Sequence, residues 1–335
     1  MTREEFVRAG VIGVGAMGQH HARVYDELPT TELVGVADAD DSRAQEIADR
    51  YETESCNPST LVEQVDLATI AVPTTYHYDL ATTCIENGVD ILVEKPLVAT
   101  PSKGRELIAA AERAGVTLQV GHIERFNPVV ATLQEIVPDL DVISIDAERL
   151  GPPPDRRIDD SAVIDLMIHD IDVVRSLVGE PVSGVDAVGN PDGRHASATL
   201  QFADGTVGTL TASRVTQRKV RRLTVTARDC YVIADYLDQS VEIHRHSVPE
   251  YLSEDGSVRY RHESVVEHPA VDTGEPLKRE LAAFVGAAIE GEEPPVTAEQ
   301  GLRALELARE IDDRAFGDGS EESGRVNADS GAIGE

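Results

Sequence analysis

Short apolar runs alternate with amphipathic segments along the first third of the chain. Strands buried on both faces give such runs, which occupy residues 7–12, 33–37, 67–72, 91–93 and 117–120. The segments between them carry apolar residues every three or four positions, which predicts helices. One helix is predicted from Ser42 to Tyr51, with Asp41 or Ser42 as its N-cap, and another from Pro101 to Ala114. Strands that alternate with helices at this spacing predict a parallel, doubly wound sheet.

The spacing of the apolar residues along the chain changes near residue 130. Residues 142–150 and much of 184–266 alternate apolar and polar side chains, as strands with one open face do. Asp204-Gly205 separates two such runs and predicts a hairpin. Helical spacing returns at residues 162–177, 276–289 and 297–316. The second half of the chain is therefore predicted to form a mainly antiparallel, open-faced sheet.

These patterns divide the chain into three parts. Residues 1–128 are predicted to form an α/β dinucleotide-binding (Rossmann) domain, and residues 129–316 an α+β domain for substrate binding and oligomerisation. Residues 317–335 are rich in Gly, Ser, Asp and Glu and are predicted to be disordered. A sheet face without helices is expected to expose an apolar patch that another copy covers, so we predict a homodimer or homotetramer.

The first predicted strand leads into a glycine-rich turn, Gly13-Val14-Gly15-Ala16-Met17-Gly18, and a helix follows. In this GxGxxG pattern Gly13 allows the tight turn, Gly15 lets the backbone approach a pyrophosphate, and Gly18 lets the helix pack closely. Ala16 and Met17 complete the predicted cofactor-binding turn, beside the N–H groups of the helix N-terminus. The second strand ends in Asp38, placed to bind the adenosine ribose and to repel a 2′-phosphate. The sequence therefore predicts NAD rather than NADP.

The chain is strongly acidic. Its 335 residues carry 61 Asp and Glu against 30 Lys and Arg, a formal net charge of −31, which argues against nucleic acid or an anionic membrane as a partner. Only four of the basic residues are Lys, and aromatic residues are scarce. This composition favours a halophilic, haloarchaeal protein whose surface stays soluble in concentrated salt. An ordinary acidic cytosolic protein is the alternative.

Several classes of protein are not expected from this sequence. No apolar run approaches the ~20 residues of a membrane span, and the MTREEF start lacks the apolar segment of a signal peptide. Cys56, Cys84 and Cys230 are too few and too scattered for a disulfide framework or a metal cluster. We therefore expect a cytoplasmic protein without a structural metal.

Polar residues follow four of the predicted parallel strands: the glycine turn, Pro73–His77, Glu94–Pro96 and Gly121–Pro128. The carboxyl ends of parallel strands meet at one edge of a sheet, so these segments should line one cleft. Lys95 lies at such an end. A lysine with burial or cationic neighbours can transfer a proton or hydrogen-bond a substrate oxygen. The alternative is a surface lysine after a strand.

Asp165 and His169 are spaced four residues apart, which places them on one face of the predicted helix. A carboxylate beside an imidazole can orient the ring and stabilise its charged form, as a general base requires. Such a pair is also common as a structural element. A metal site with Asp170 and Asp172 is conceivable, but no recognised metal-ligand spacing supports it, so none is predicted.

Together, the glycine turn, Pro73–His77, Glu94-Lys95-Pro96 and Asp165-x-x-x-His169 resemble the glucose–fructose oxidoreductase/inositol dehydrogenase/MocA (Gfo/Idh/MocA) family over about residues 6–316. The resemblance implies an NAD(P)-dependent sugar or polyol dehydrogenase. It implies that His169 takes the proton of the substrate hydroxyl, that Lys95 polarises the same oxygen, and that Asp165 holds His169. The further cofactor contacts that it implies are Pro73, Thr74, His77, Glu94, Lys95 and Pro96.

Two segments, Gly121–Pro128 and Asp165–Asp172, are similar to the branch that oxidises the 3-hydroxyl of UDP-N-acetylglucosamine or a related UDP-sugar. On that resemblance, Lys95 and His169 would contact substrate, and Arg125 and Asn127 are further candidates. For these last two, a salt bridge and an N-cap before Pro128 are the alternative.

A diphosphate substrate needs cations in so acidic a protein, and the candidates are Arg125, Arg156, Arg157 and the cluster Arg218–Arg222. Where many family members have Gly-Gly, this chain has Ser161-Ala162. Two other functions remain open: a dehydrogenase of a free sugar or inositol, and a non-catalytic NAD-binding sensor on the same fold.

Overall fold

The computed structural model describes residues 6–153, 158–246, 250–254, 257–261 and 263–317. The strands of its first sheet are β1 (Val7–Ile12), β2 (Thr31–Ala37), β3 (Glu54–Ser55), β4 (Leu67–Ile70), β5 (Asp90–Glu94) and β6 (Leu118–Gly121). The helices of this half are α1 (Gly18–Glu27), α2 (Asp41–Arg50), α3 (Pro58–Val62), α4 (His77–Glu86), α5 (Pro101–Ala114) and α6 (Pro128–Ile136). All the strands are parallel, in the order β3-β2-β1-β4-β5-β6, with a hydrophobic core on each face. The predicted doubly wound Rossmann sheet is confirmed.

The second half contains β7 (Val142–Leu150), β8 (Val182–Gly189), β9 (His195–Phe202), β10 (Val207–Ser213), β11 (Val220–Ala227), β12 (Cys230–Asp235), β13 (Ser240–His246), β14 (Glu250–Glu254), β15 (Ser257–Arg261) and β16 (Ser264–Glu267). Its helices are α7 (Ile168–Val178), α8 (Pro276–Glu290) and α9 (Ala298–Phe316). Eight strands form one sheet in the order β16-β13-β12-β11-β7-β10-β9-β8, and only β7 and β10 pair in parallel. The predicted antiparallel sheet and the hairpin at Asp204-Gly205 are confirmed.

Side-chain caps fix where several helices begin. Helix α2 begins one residue earlier than predicted, because Asp40 rather than Asp41 or Ser42 accepts hydrogen bonds from the N–H groups of Ser42 and Arg43. Helix α9 begins with a capping box, in which Thr297 and Gln300 each bond the backbone of the other. These caps place the helix ends but contribute no chemistry to the cleft.

The C-terminal helices both pack against the first sheet, and one of them joins the two halves. Helix α8, which the sequence placed in the second domain, packs Leu277, Leu281 and Phe284 into the core of the first sheet. Helix α9 contributes Leu302 to the other face of that sheet and Ile311 to the core of the second. Because α9 contributes to both cores, it holds the two sheets against each other along the cleft between them.

The uncovered face of the second sheet is mostly polar. Its central strands present small or charged side chains there, namely Ser144, Asp146, Glu148, Ser197, Thr199, Thr209, Thr211, Thr224 and Thr226. The open face predicted from the sequence is present, and beside these polar groups it exposes the apolar side chains of Val188, Val207 and Tyr231. A homodimer or homotetramer stays a prediction.

Within the described part of the chain, no helix combines the length and the apolar character needed to cross a membrane. Two sequence predictions fall outside the described residues: the cationic pair Arg156 and Arg157, and the tail from residue 318 to residue 335.

Candidate active site

The glycine turn after β1 has the geometry that a dinucleotide requires. Gly13 has φ of +90°, which favours glycine, and a Cβ there would lie 2.7 Å from the carbonyl oxygen of Ala71. A Cβ on Gly18 would lie 1.7 Å from the carbonyl oxygen of Gly13, so helix α1 packs directly on the turn. A Cβ on Gly15 would instead face open space, with Arg43 3.9 Å away. The exposed backbone at Gly15 and the N-terminus of α1 therefore fit a pyrophosphate.

Asp38 lies at the end of β2 beside this turn. Its carboxylate accepts hydrogen bonds from the N–H groups of Val14 (2.8 Å) and Asp40 (2.9 Å). Each of its oxygens keeps a lone pair for a ribose hydroxyl, as NAD binding requires. The sequence prediction missed Arg43, whose Nη1 lies 3.4 Å from Asp38 Oδ1. This cation therefore lies beside the carboxylate that is predicted to bind the ribose.

Two histidines fix the loops that follow β4 and β5. The His77 ring is buried between the carbonyl oxygens of Val72 (2.8 Å) and Pro96 (3.0 Å), and so ties the two loops together. His21 Nε2 lies 3.0 Å from Glu94 Oε1. Burial raises the pKa of Glu94, but the hydrogen bond from His21 and the charges of His21 and Lys95 together outweigh it, so the pKa is lowered. These contacts make His77 and Glu94 supports of the loops, whereas Pro73 is exposed and Thr74 partly exposed at the cleft.

The loop after β5 presents Lys95 to the second domain. Its ammonium donates to the backbone carbonyl of Asp165 at 2.6 Å and lies 3.5 Å from the carboxylate Oδ1 of the same residue. Asp165 Oδ2 also lies 3.8 Å from Nε of Arg214, a residue that the sequence prediction missed. The peptide bond between Lys95 and Pro96 is cis. Lys95 thus bridges the two halves while 17% of its side chain remains exposed.

The segment that carries Asp165 and His169 is not a plain α-helix. Residues Val163–Met167 form a π-helical turn that runs directly into α7, a feature that is frequent at functional sites. The expected bond between Asp165 and His169 is absent. The carboxylate contacts Lys95 and Arg214 instead, and His169 Nδ1 is buried without a hydrogen-bond partner among the described residues. The wider π turn changes the spacing on which that expectation depended.

Buried ion pairs hold α7 in place. Arg149 on β7 binds Asp170 through two hydrogen bonds (2.8 and 2.9 Å) and also donates to Glu124 at 2.7 Å. Arg125 binds Asp172 through two more (2.8 and 3.2 Å). The two segments Gly121–Pro128 and Asp165–Asp172 are thus charge partners. These pairs fix the helix that begins beside His169 against both domains.

The sequence suggested Arg125 and Asn127 as substrate contacts. In the structure they form the salt bridge and the N-cap that were the alternative. Arg125 is engaged by Asp172, with 11% of its side chain exposed. Asn127 Oδ1 caps α6 by accepting from the N–H of Val129 at 3.2 Å, and its Nδ2 donates to Glu124. These contacts favour a structural role for both residues, although Asn127 also lines a cavity at the edge of the cleft.

Ser161, at the position where many family members have glycine, caps the π turn. Its Oγ accepts from the N–H groups of Val163 and Ile164 at 3.2 Å and donates to Asp312 of α9. The departure from Gly-Gly therefore gives this wall of the cleft a side-chain cap.

The electrostatics of the cleft favour a neutral base. Burial, followed by the positive charges of Lys95 and Arg149, lowers the pKa of His169 well below its usual value. An uncharged imidazole can accept a proton at neutral pH, and the Lys95 ammonium beside it can donate a hydrogen bond to an oxygen. The arrangement is suited to removing a hydroxyl proton. Within the described residues, no group of three or more His, Cys, Asp and Glu side chains is placed to hold a metal ion.

Sequence reasoning missed Arg149, Arg214, His21, His122 and Glu124. One signal was available: Arg149 follows Ile145 and Ala147 at period two, so it falls on the covered face of β7 where a charge requires a partner. His122 lies edge to face with His169 at a centroid distance of 6.5 Å, and nothing in its sequence context indicates this contact.

Comparison with known proteins agrees with this architecture. Residues 7–122 match the NAD-binding Rossmann fold of the GFO/IDH/MocA oxidoreductase family, and residues 142–232 match a C-terminal domain of the same family. The chain is 34% identical over 247 residues to UDP-N-acetylglucosamine 3-dehydrogenase of Acidithiobacillus ferrooxidans, covering 71% of this chain and 77% of that protein. It is 31% identical over 241 residues to scyllo-inositol 2-dehydrogenase (NAD(+)) of Bacillus subtilis, covering 63% of this chain and 68% of that protein.

Comparison with solved structures also finds a sugar-nucleotide dehydrogenase with the same fold. The crystal structure of UDP-N-acetylglucosamine 3-dehydrogenase from Acidithiobacillus ferrooxidans superimposes with a TM-score of 0.83 at 29% identity. The superposition covers 93% of this chain and 98% of the other. Both domains and the cleft between them are therefore included in the similarity.

Proposed function

The chain belongs to the GFO/IDH/MocA oxidoreductase family, and from that premise we propose that it oxidises a ring hydroxyl of a UDP-linked sugar with NAD. The preferred substrate is UDP-N-acetylglucosamine or a related UDP-sugar, oxidised at C3. The name of the 34% identical relative supports this choice, and so do the paired segments Gly121–Pro128 and Asp165–Asp172.

One observation carries the proposal: Lys95 of the cofactor-binding half meets Asp165 beside His169, at the carboxyl end of β5. In the proposed reaction His169, neutral at the working pH, accepts the proton of the substrate hydroxyl. Lys95 donates a hydrogen bond to the same oxygen and stabilises the negative charge that develops there. Asp165 acts by holding the Lys95 ammonium toward the substrate rather than by orienting His169. NAD, when bound, accepts the hydride at C4 of its nicotinamide.

The cofactor half is proposed to use NAD in preference to NADP. Asp38 would accept hydrogen bonds from the ribose hydroxyls, and its charge opposes a 2′-phosphate. Gly13, Gly15, Ala16, Met17 and Gly18 would surround the pyrophosphate. Arg43 partly neutralises the charge of Asp38 and therefore limits the preference for NAD over NADP.

The test is NADH formation at high KCl concentration, with UDP-sugars, free sugars and inositols offered side by side. High salt is chosen because a chain of net charge −31 is expected to need screening. Turnover confined to UDP-sugars is the expected result, and single-turnover fluorescence detects oxidation even when NADH stays bound. Turnover confined to free sugars or inositols would keep the mechanism and refute the substrate. No NADH from any of these compounds would favour the sensor.

A further inference from the structure

We propose that Arg221 and Lys219 form the subsite that binds the diphosphate of the substrate. This inference rests on the proposed function, because a nucleotide-sugar carries that group and a free sugar or inositol does not. Both residues belong to the basic cluster 218–222, in which Lys219 precedes β11 and Arg221 is the second residue of that strand.

Arg221 lies opposite Arg149 in the β7–β11 ladder, and both side chains are on the helix-covered face of the sheet. Like charges that face each other across two strands repel. Asp170 and Glu124 neutralise Arg149. The bonds recorded for Arg221 run from Nη1 to the backbone carbonyls of Leu150 (2.6 Å) and Val220 (2.7 Å), and no described carboxylate forms an ion pair with it.

A partly buried guanidinium without a counter-ion destabilises the site that holds it. Burial, followed by the charge of Arg149, lowers the pKa of Arg221, and the charges of Asp170, Glu124 and Asp165 oppose this shift only in part. A negatively charged ligand would relieve both effects. Arg222, the next residue, points to the opposite face of the sheet, where its cross-strand neighbour is Glu148. The excess positive charge therefore belongs to Arg221 and not to the strand as a whole.

Arg221 lies near the proposed catalytic groups, because its cross-strand neighbour Arg149 binds Asp170, the residue after His169. Its charge contributes to the lowered pKa of His169, after burial and the charges of Lys95, Arg149 and His122. The carboxylate of Asp165 in turn acts on Arg221. An anion bound by Arg221 would consequently lie beside the sugar ring that His169 and Lys95 are proposed to hold.

Arg221 and Lys219 line a cavity of about 180 Å³ together with Glu124, Asn127 and Tyr236. Glu124 is the acidic group of this lining, and Arg149 and Asn127 already bind it. Lys219 is exposed, and its ammonium has no ion-pair partner in the ranges that the structure describes. The cavity thus offers one guanidinium and one ammonium that form no ion pair within the described ranges, and the charges of Asp170, Glu124 and Asp165 offset part of the guanidinium charge.

Concentrated salt strengthens the case for contact cations. At about 1 M salt the Debye length falls to ~3 Å, so distant charges neither attract nor repel a diphosphate effectively. Binding then depends on groups that touch the phosphate oxygens. Guanidinium and ammonium groups form short, charge-assisted hydrogen bonds with such oxygens.

The variants Arg221→Gln and Lys219→Gln test the subsite, and Arg222→Gln is the matched control on the other face of the same strand. For Arg221→Gln we expect KM for the UDP-sugar to rise about 10- to 100-fold, with kcat changing by about twofold at most. Lys219→Gln should raise KM by about 10-fold, because its ammonium is exposed. Arg222→Gln should match the wild type. Unchanged KM in both test variants would overturn the subsite while leaving the proposed function standing.

Calorimetric titration of UDP into the NADH-loaded protein separates the two proposals. UDP carries the diphosphate but needs no turnover, so this titration is informative even if UDP-sugars are not oxidised. Binding by the wild type that weakens about 10-fold or more in Arg221→Gln supports the subsite, whatever the outcome of the turnover assay. No UDP binding by the wild type, or equal binding by Arg221→Gln, overturns it.

Discussion

The two halves of the cleft are held by different kinds of contact. The cofactor half is held mainly by backbone contacts, namely a glycine turn packed against α1 and parallel strand ends joined through His77, with His21–Glu94 as a buried charged contact. The substrate half is built from charge, with Arg149 and Arg125 each bound to a carboxylate of α7 more than 20 residues away. Backbone geometry fixes where a cofactor lies. Charged pairs fix the helix that carries His169, the proposed base.

This difference has a physical reason. Backbone contacts in a buried parallel sheet involve no desolvated charge, so they are stable and leave the turn open for phosphates. A buried ion pair is stable only while both partners are present, and losing one leaves an unpaired charge in the protein interior. The substrate half should therefore be the more sensitive to single substitutions, while Lys95 connects the two halves.

The largest effect is expected at that connection. Lys95→Met removes the ammonium that bonds the Asp165 carbonyl and is proposed to stabilise the substrate oxygen. We expect kcat to fall about 10²- to 10⁴-fold, the usual range for a group that assists proton transfer. The readout is NADH formation by variants whose thermal unfolding matches the wild type. Lys103→Met, whose ammonium lies over the Tyr78 ring, is the matched control. Activity within about tenfold of the wild type would exclude Lys95 from the mechanism.

The next effect concerns stability. Arg149→Met leaves Asp170 and Glu124 without their cation in a site where the Arg149 side chain is only 5% exposed. The free energy of unfolding should fall by about 3–5 kcal/mol, as measured by urea denaturation at high KCl. Arg228→Met provides the comparison, since its pair with Asp141 is exposed and screened by solvent, so its loss should leave the free energy of unfolding nearly unchanged. Equal losses in the two variants would mean that the buried pairs do not hold the substrate half.

The same division explains what could be predicted from sequence. The glycine turn, Asp38 and the strand ends are local patterns, and Gly13 and Gly18 lie where the pattern placed them. The charge network depends on residues far apart in the chain. Asp170 and Asp172 were considered as metal ligands, because nothing near them in sequence indicates that arginines 21 and 47 residues away are their partners.

Local errors have equally specific causes. The Asp165–His169 spacing assumed an α-helix, and the π turn at Val163–Met167 changed that spacing. The open face of the second sheet was expected to be apolar because it lacks helices. Its serine and threonine side chains alternate with buried residues in the sequence, so period two predicts which residues face outward but not whether a partner covers them.

A smaller effect is expected inside the cofactor half, where charge decides a preference rather than stability. Asp38→Ser removes the carboxylate that opposes a 2′-phosphate and leaves Arg43 free to bind one. The ratio of kcat/KM for NADP to that for NAD should rise about tenfold or more. The double variant with Arg43→Gln should lose most of this gain. A ratio unchanged by Asp38→Ser would show that Asp38 does not select the cofactor.

The smallest effect concerns a buried carboxyl group that the network of ion pairs leaves without a partner. Glu280 of α8 is fully buried, and neither carboxylate oxygen has a hydrogen-bond partner in the described part of the chain. Burial, followed by the charges of Glu94 and Asp172, raises the pKa of Glu280 well above its usual value. An unfolded Glu loses its proton near pH ~4.3, whereas the folded protein keeps it. Above pH ~4.3 the folded state binds more protons than the unfolded state. The stability of the folded state therefore falls as pH rises.

Glu280→Gln removes this dependence, because an amide cannot ionise. The variant should be more stable than the wild type at about pH 8 and gain less at about pH 5, as measured by thermal unfolding at high KCl. Glu290→Gln, at the exposed end of the same helix, should change the melting temperature equally at both pH values. If Glu280→Gln instead destabilises the protein at the higher pH, Glu280 is ionised and paired in the folded state. The buried charges would then be more completely neutralised than the comparison of the two halves implies.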